Sequence, residues 1–353
     1  MGRNACSIWD TTAMDTTAMN AQVLFLRRPH YRPAGTNSVT VTKDCFDIRN
    51  APIPTAGEGE VLVRNLLVSC DPYLRGRMTE TFPLDQPIPV RAVGRVESSG
   101  DRRWKPGDLV WGFMAWEQWS VVRGEGLRRV DPSLGPISHA LSVLGMPGLT
   151  AWVGMIDMGR PKPGETVFVS SAAGAVGSLA GQLARLAGAR AVGSAGSAEK
   201  VAHCVDVLGY DACFDYKAVT SIRDGLAEHC PNGIDVYFDN VGGETLTAAL
   251  GRLNDFARIP VCGMISRYDS LSDPGVGGLI NILAKRATMQ GLSIYDHMHH
   301  FNAWQPKMAA LLANGDITYL DDIWEGIENV VPAFLGMLKG DNIGKRLVRL
   351  ADE

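Results

Sequence analysis

The sequence predicts a two-domain α/β protein, a barrel-like β domain followed by a doubly wound parallel sheet. Three observations predict it. Short alternating strands separated by Pro and Gly turns fill the first third of the chain. From about residue 137, continuous apolar strands alternate with helices, the pattern of a parallel sheet covered on both faces. A glycine-rich turn joins one of those strands to the helix after it.

The elements follow in order. Residues 1–20 carry a tandem repeat, Asp-Thr-Thr-Ala-Met at 10–14 and again at 15–19, with little apolar periodicity. They are expected to be a disordered tail, or translated sequence upstream of a later start such as Met19. Strands are predicted over 22–26, 60–68, 89–97, 108–110 and 119–122, with turn signals at 52–54, 57–59 and 105–108. Helices are predicted over 138–144 and 151–158. Strands at 166–170, 189–195, 213–214, 236–240 and 258–263 then alternate with helices at 175–186, 198–208, 221–229 and 244–253. A strand within 342–350 is expected to return to the first domain, whose barrel lacks a closing partner.

Composition sets limits on function. The 353 residues exceed one small domain, taken as roughly 100–200 residues. A hydrophobic fraction of 46% and a charged fraction of 20% can bury a core and exclude a disordered or fibrous chain. A net charge of -4 with no basic block argues against nucleic acid. No apolar run reaches the roughly 18 residues that span a bilayer, and no secretion signal opens the chain. The seven cysteines are scattered with no CxxC pair, which reads as reduced thiols in a cytoplasmic protein.

The segment Ser171-Ala-Ala-Gly-Ala-Val-Gly-Ser178 lies between a strand and a helix, as a dinucleotide fingerprint requires. Gly174 would admit a pyrophosphate to the backbone, Gly177 would let helix and strand pack, and the helix N-terminus offers free N–H groups. The first fingerprint position is Ala172 rather than Gly. At the tip of the next strand an NAD site wants an acid, but Gly196, Ser197 and Lys200 stand there. A hydroxyl, helix N–H groups and a cation suit a 2′-phosphate, so the cofactor is read as NADPH. Cys70 has no His within the following 60 residues, and the His297–His300 cluster reads as a polar helix start, so no metal is expected. Tyr73 in a loop after a barrel strand and Tyr268 beyond a sheet strand, where Asn240 also lies, remain as neutral hydrogen-bond donors for an oxyanion.

Together these motifs resemble the zinc-free branch of the medium-chain dehydrogenase/reductase superfamily that holds prostaglandin reductase (leukotriene B4 12-hydroxydehydrogenase) and the NADPH-dependent alkenal and curcumin reductases. The resemblance covers residues 21–351 and rests on DPYLRGRM at 71–78, GMPGLTAW at 145–152, PKPGETVFVSSAAGAVGS at 161–178, GS-x-x-K at 196–200, FDYK at 214–217, FDNVGG at 238–243, CGMISRY at 262–268 and DNIGKRLV at 341–348. It implies a GroES-like β-barrel substrate domain over 21–144 and 320–353, and a Rossmann domain over 145–319.

By the same resemblance Gly174, Ala175, Val176 and Gly177 hold the pyrophosphate. Lys200 and Tyr216, with Ser197 beside them, hold the 2′-phosphate. Met146 and Thr150 flank the nicotinamide. Asn240, Cys262, Gly263, Ile265, Ser266, Tyr268, Leu292, Ser293, Ile294 and Asn342 line the rest of the cofactor. The implied reaction is NADPH-dependent reduction of the carbon–carbon double bond of α,β-unsaturated ketones or aldehydes. Hydride passes to the β-carbon, and Tyr268, with a cofactor ribose hydroxyl, stabilises the enolate. Alternatives are quinone reduction, oxidation of a lipid alcohol, or a non-catalytic NADPH-binding protein. An edge strand near 288–292 implies a homodimer. Three features depart from the family pattern. Arg91-Ala-Val93 replaces a glycine run, the 27–46 stretch is long and contains Pro29 and Pro33, and Pro83, Pro87 and Pro89 fall within 81–89. These loops are expected to border the substrate pocket.

Overall fold

The amino-terminal strands are β1 (Met19–Phe25), β2 (Phe46–Pro52), β3 (Glu60–Ser69), β4 (Gln86–Pro87), β5 (Pro89–Ser99), β6 (Leu109–Ala115), β7 (Trp119–Arg123) and β8 (Arg128–Arg129), of which β1, β3 and β5 bury Val and Leu side chains or Val alone. The structure is a computed structural model and describes residues 19–30, 32, 39–269 and 275–353. One helix, α1 (Tyr73–Glu80), interrupts these strands. The second half contains α2 (Met146–Trp152), β9 (Thr166–Val169), α3 (Gly177–Leu186), β10 (Arg190–Ala195), α4 (Ala198–Ala202), β11 (Ala212–Asp215), α5 (Ile222–His229) and β12 (Ile234–Phe238). It continues with α6 (Gly243–Leu250), β13 (Leu253–Val261), α7 (Ile280–Ala284), β14 (Thr288–Gly291), α8 (Phe301–Ala313), β15 (Asp321–Glu325), α9 (Val330–Lys339) and β16 (Lys345–Arg349).

All four residues of β9 are buried, because helices cover both faces of the sheet it centres. The strand order is β11-β10-β9-β12-β13-β14, all parallel. The order reverses between β9 and β12. That switch point opens a crevice beyond the carboxyl ends of the strands, where α/β sheets bind ligands.

The amino-terminal strands form an antiparallel sheet around β3. One edge of β3 pairs with β5. The other edge pairs with β7 over Glu60–Arg64 and with β16 over Leu67–Ser69, so the last strand of the chain completes this sheet. Phe334 of α9 packs on Trp116 with ring centroids 5.2 Å apart and so fixes the returning chain to the barrel core.

Several elements differ from the sequence expectation. Residues 1–18 lie outside the described residues, but Met19 and Asn20 belong to β1 rather than to a loose tail. Asn20 is fully buried, and its side-chain amide donates to Glu117 (3.0 Å) and to the Trp119 carbonyl (2.8 Å), which ties the strand end down. Tyr73 starts α1 instead of lying in a loop. Pro72 occupies the cap, where no N–H is needed. The helix expected over 138–144 is only a 3₁₀ turn, Ile137–Leu141, confined between Pro136 and Gly145. The next helix begins earlier, at Met146 with Pro147 in its first turn, and runs on as a π-helical segment, Val153–Gly159. Pro33 lies outside the described residues.

Candidate active site

A cleft of about 1000 Å³ runs from the β9–α3 turn to the wall formed by β3, α1 and β5. Its floor is built by close backbone approach. A Cβ on Gly177 would lie 2.2 Å from the Ser171 carbonyl oxygen, so only glycine lets α3 start there. At Gly174 a Cβ would meet only Ser171, its Oγ at 3.0 Å and its carbonyl oxygen at 3.2 Å. Ala172 at the first fingerprint position is accommodated from across the sheet. Gly193 of β10 faces it, and a Cβ there would come within 2.6 Å of the Ala172 Cβ. Ser171 takes a left-handed φ of 54° to make the turn. Gly174 also forms a parallel bridge with Gly344, so the segment before β16 abuts the phosphate turn.

Most of the sequence-predicted residues meet in this cleft. Gly174, Ala175, Val176 and Gly177 lie at its centre, with Lys200 and Tyr216 at one end and Met146 and Thr150 on the α2 side. Asn240, Cys262, Gly263, Ile265, Ser266 and Tyr268 line it beyond β12 and β13, and Leu292, Ser293, Ile294 and Asn342 close the remaining side. Ser197 does not line it. Its hydroxyl accepts from the Lys200 N–H (3.3 Å) and caps α4, which leaves its own O–H as a donor.

The Lys200 ammonium donates to the Gly340 carbonyl. Burial lowers its pKa, and the neighbouring Lys217 lowers it further. Lys217 also sits over the Tyr216 ring, 5.7 Å from the centroid. Two cations, Lys200 and Lys217, and the Tyr216 phenol gather at this strand tip, and the Asp341 carboxylate acts on Lys200 from the segment before β16. Lys217 was not singled out from the sequence, although FDYK contains it.

Asp239 organises the turn after β12. Its Oδ1 accepts from Tyr237 Oη (2.6 Å), Gly242 N (2.8 Å) and Val241 N (2.9 Å). Burial outweighs these bonds and raises its pKa. Asn240 beside it donates from Nδ2 to the Ser170 carbonyl (2.8 Å), which holds the turn against β9. Burial pushes the Cys262 thiol up to about 12, so at neutral pH it is a neutral wall group and not a thiolate.

The two tyrosines stand on elements that one arginine joins. Tyr268 follows a 3₁₀ turn, Ile265–Arg267, after β13. Arg75 of α1 is buried and bonds the Asp269 carboxylate and the Val39 carbonyl, and the Asp269 backbone carbonyl in turn accepts from the Val39 N–H (2.7 Å). This ties the Tyr268 turn to the helix that Tyr73 begins. Burial raises the pKa of both phenols, so both keep their protons at neutral pH. The Tyr73 hydroxyl is buried, its residue lines the cleft, and it has no hydrogen-bond partner among the described residues. Such a group is costly unless something in the cleft receives its proton or donates to it. Beside it Lys345 Nζ donates to Asp71 Oδ1 (2.6 Å) and to the Cys70 carbonyl (2.8 Å), so the last strand fixes the turn into α1. The Arg75–Asp269 and Lys345–Asp71 pairs join residues far apart in sequence and have no local signal.

Among the described residues no group of three or more His, Cys, Asp or Glu could hold a metal ion. His297, His299 and His300 cluster by ring contact, the last two with centroids 3.9 Å apart.

A dinucleotide crevice at the switch point of a doubly wound sheet, faced by an antiparallel barrel domain that the chain's last strand completes, defines a medium-chain dehydrogenase/reductase. Residues 31–130 match the family model described as the N-terminal domain of oxidoreductase, and residues 175–314 match that of zinc-binding dehydrogenase. The chain is 40% identical over 319 residues to the NADP(+)-dependent 2-alkenal reductase of Nicotiana tabacum, covering 87% of this chain and 93% of that one. It is 38% identical over 346 residues to the NADPH-dependent curcumin reductase of Escherichia coli (strain K12), covering 95% and 98%. Among solved structures, CurA from Vibrio vulnificus in complex with NADPH superposes with a TM-score of 0.86 at 38% identity, covering 94% of this chain and all of that one. The chain belongs to the zinc-free branch of the medium-chain family that contains the alkenal, curcumin and prostaglandin reductases.

Proposed function

We propose that this protein reduces the carbon–carbon double bond of α,β-unsaturated ketones or aldehydes with NADPH. The observation that carries the reading is one cleft in which a glycine turn at a helix N-terminus, two cations at a strand tip and two neutral, half-buried phenols converge. When bound, NADPH supplies the hydride for the β-carbon.

The chain's own residues do the rest. Gly174 to Gly177 hold the pyrophosphate against the α3 N-terminus, and Lys200 with Lys217 and Tyr216 holds the 2′-phosphate. Met146 and Thr150 flank the nicotinamide. As the β-carbon is reduced, charge builds on the substrate carbonyl oxygen. The Tyr268 hydroxyl donates to that oxygen and keeps its own proton, because burial holds its pKa up. The Tyr73 hydroxyl, lacking an internal partner, orients the substrate from the opposite wall. A phenol or water then protonates the α-carbon.

The test is the fall of NADPH absorbance with a panel of enones, alkenals and quinones. Turnover of enones and alkenals supports the reading. Turnover of quinones alone, or of none of the panel, overturns it.

The reading includes a cytoplasmic homodimer. Free thiols at Cys45, Cys70, Cys204, Cys213, Cys230 and Cys262 suit a reducing compartment. Edge strand β14 is exposed along its length, and Ile280 and Leu283 beside it are 69% and 74% exposed, a surface suited to a second copy. Sedimentation equilibrium at twice the chain mass supports the dimer, and a concentration-independent monomer overturns it.

A further inference from the structure

A tyrosine that does not line the cleft holds the turn that forms its floor. Tyr319 lies between α8 and β15, where the chain leaves the parallel sheet and crosses to join the amino-terminal one. Its hydroxyl donates to the Ala175 carbonyl, in the turn between β9 and α3, at 3.2 Å. Burial raises its pKa well above the ordinary 10.0, and the Asp321 and Asp71 carboxylates raise it further, so the phenol is a neutral donor.

The crossing segment is held on both sides of Tyr319. On one side the buried Gln182 of α3 accepts from the Thr318 N–H at Oε1 (2.8 Å). The Gln182 Nε2 donates to the Thr318 carbonyl (2.8 Å) and to the Ser178 carbonyl (2.7 Å). On the other side the Lys345 N–H donates to the Leu320 carbonyl (3.2 Å). An amide that meets both backbone groups of Thr318 pins the residue before Tyr319, so the place of the phenol is set by α3 itself, the helix that the turn opens. Ala175 and Val176, which line the cleft, share a peptide that is planar and trans, so its N–H points opposite to its C=O. Among the described residues the Val176 N–H donates to no backbone or side-chain acceptor. A hydrogen bond accepted at the carbonyl fixes the plane of such a peptide and polarises its N–H.

We propose that Tyr319 is a positioning residue for the cofactor: by holding the Ala175 carbonyl it aims the Val176 N–H at the pyrophosphate of NADPH. This rests on the cofactor site of the reading above and not on the choice of substrate.

The test measures, by calorimetry, the binding of NADPH and of 2′-AMP, a ligand that carries the 2′-phosphate and no pyrophosphate. Tyr319→Phe keeps the ring and removes the donor. It is expected to weaken NADPH about fivefold, as one neutral hydrogen bond allows, and to leave 2′-AMP affinity and Tm unchanged. Wild-type NADPH affinity in Tyr319→Phe overturns the inference. An equal loss of NADPH and 2′-AMP affinity also overturns it, because that pattern marks a general loosening of the site. NMR of the isotopically labelled wild type reads the same contact without a substitution. The Val176 amide proton is expected to move downfield on addition of NADPH and not of 2′-AMP, and an unmoved Val176 amide overturns the inference whether or not the variant folds. Enone reduction by a protein whose NADPH affinity is indifferent to Tyr319→Phe overturns this inference alone, whereas the expected binding pattern without enone reduction overturns the reductase reading alone.

Discussion

Gly174 and Gly177 stand three residues apart in the same turn, and their alanine variants are expected to fail differently. A Cβ on Gly177 would meet the Ser171 carbonyl oxygen at 2.2 Å, its carbon at 2.9 Å and Ala172 Cα at 3.0 Å. All are backbone atoms, so no rotamer change relieves the clash and the β9–α3 turn has to move by about an ångström. Overpacking of this kind costs roughly 1–3 kcal/mol. For a unit of this size that is a fall in Tm of roughly 3–9 °C, at about 3 °C per kcal/mol. At Gly174 the nearest atoms are Ser171 Oγ at 3.0 Å and Ser171 O at 3.2 Å, so a small shift of one hydroxyl relieves most of the contact. Gly174→Ala is therefore expected to keep Tm within about 2 °C, which corresponds to less than 1 kcal/mol. Its methyl group would instead stand between the backbone and the pyrophosphate, weakening NADPH about tenfold or more, or at least 1.4 kcal/mol. Differential scanning fluorimetry and a fluorescence titration of NADPH read the two effects separately. Wild-type NADPH affinity in Gly174→Ala would refute the assignment of the pyrophosphate to this turn. A wild-type Tm in Gly177→Ala would refute the packing argument.

Lys200→Ala is expected to cut a preference for NADPH over NADH that is at least about tenfold in the wild type, since one charge-assisted contact is worth that much. Equal wild-type affinity for the two cofactors would contradict the 2′-phosphate site. Tyr268→Phe is expected to lower kcat and kcat/KM together by about 10²–10³ and to leave NADPH affinity unchanged, whereas Tyr73→Phe should mainly raise KM for the enone. Retention of more than half of kcat in Tyr268→Phe would remove it from the mechanism. Burial raises the Tyr268 pKa above its ordinary 10.0, so the wild-type rate should show no limb from its ionisation below pH 10. A Tyr268-dependent alkaline limb well below that pH would overturn the assignment. Exhaustive chelation should leave full activity and elemental analysis should find no stoichiometric zinc; one tightly bound zinc per chain would contradict the metal-free reading.

The parallel sheet was legible because its strands are continuous apolar runs, and Thr166–Val169 is the clearest of them. The cleft lining was legible where a motif holds the residue, as with Gly174 and Asn240. What escaped depends on contacts between distant segments. Nothing near Asp71 announces Lys345, and nothing near Arg75 announces Asp269. At Ser197 a helix N-cap and a phosphate contact call for the same hydroxyl, and the structure shows the first of these, the bond from the Lys200 N–H. Tyr73 was assigned to a loop because Leu74-Arg75-Gly76-Arg77 is too short and too charged to show helical periodicity.

The central claim is that this cleft delivers hydride to the β-carbon of an enone, and isotope position tests it most directly. The enzyme is incubated with NADPH deuterated at the transferable C4 position and a simple enone, and the product is analysed by NMR. The account predicts the saturated ketone with one deuterium at the β-carbon and a solvent-derived proton at the α-carbon. Deuterium on the carbonyl carbon of an allylic alcohol, with the double bond intact, would contradict it.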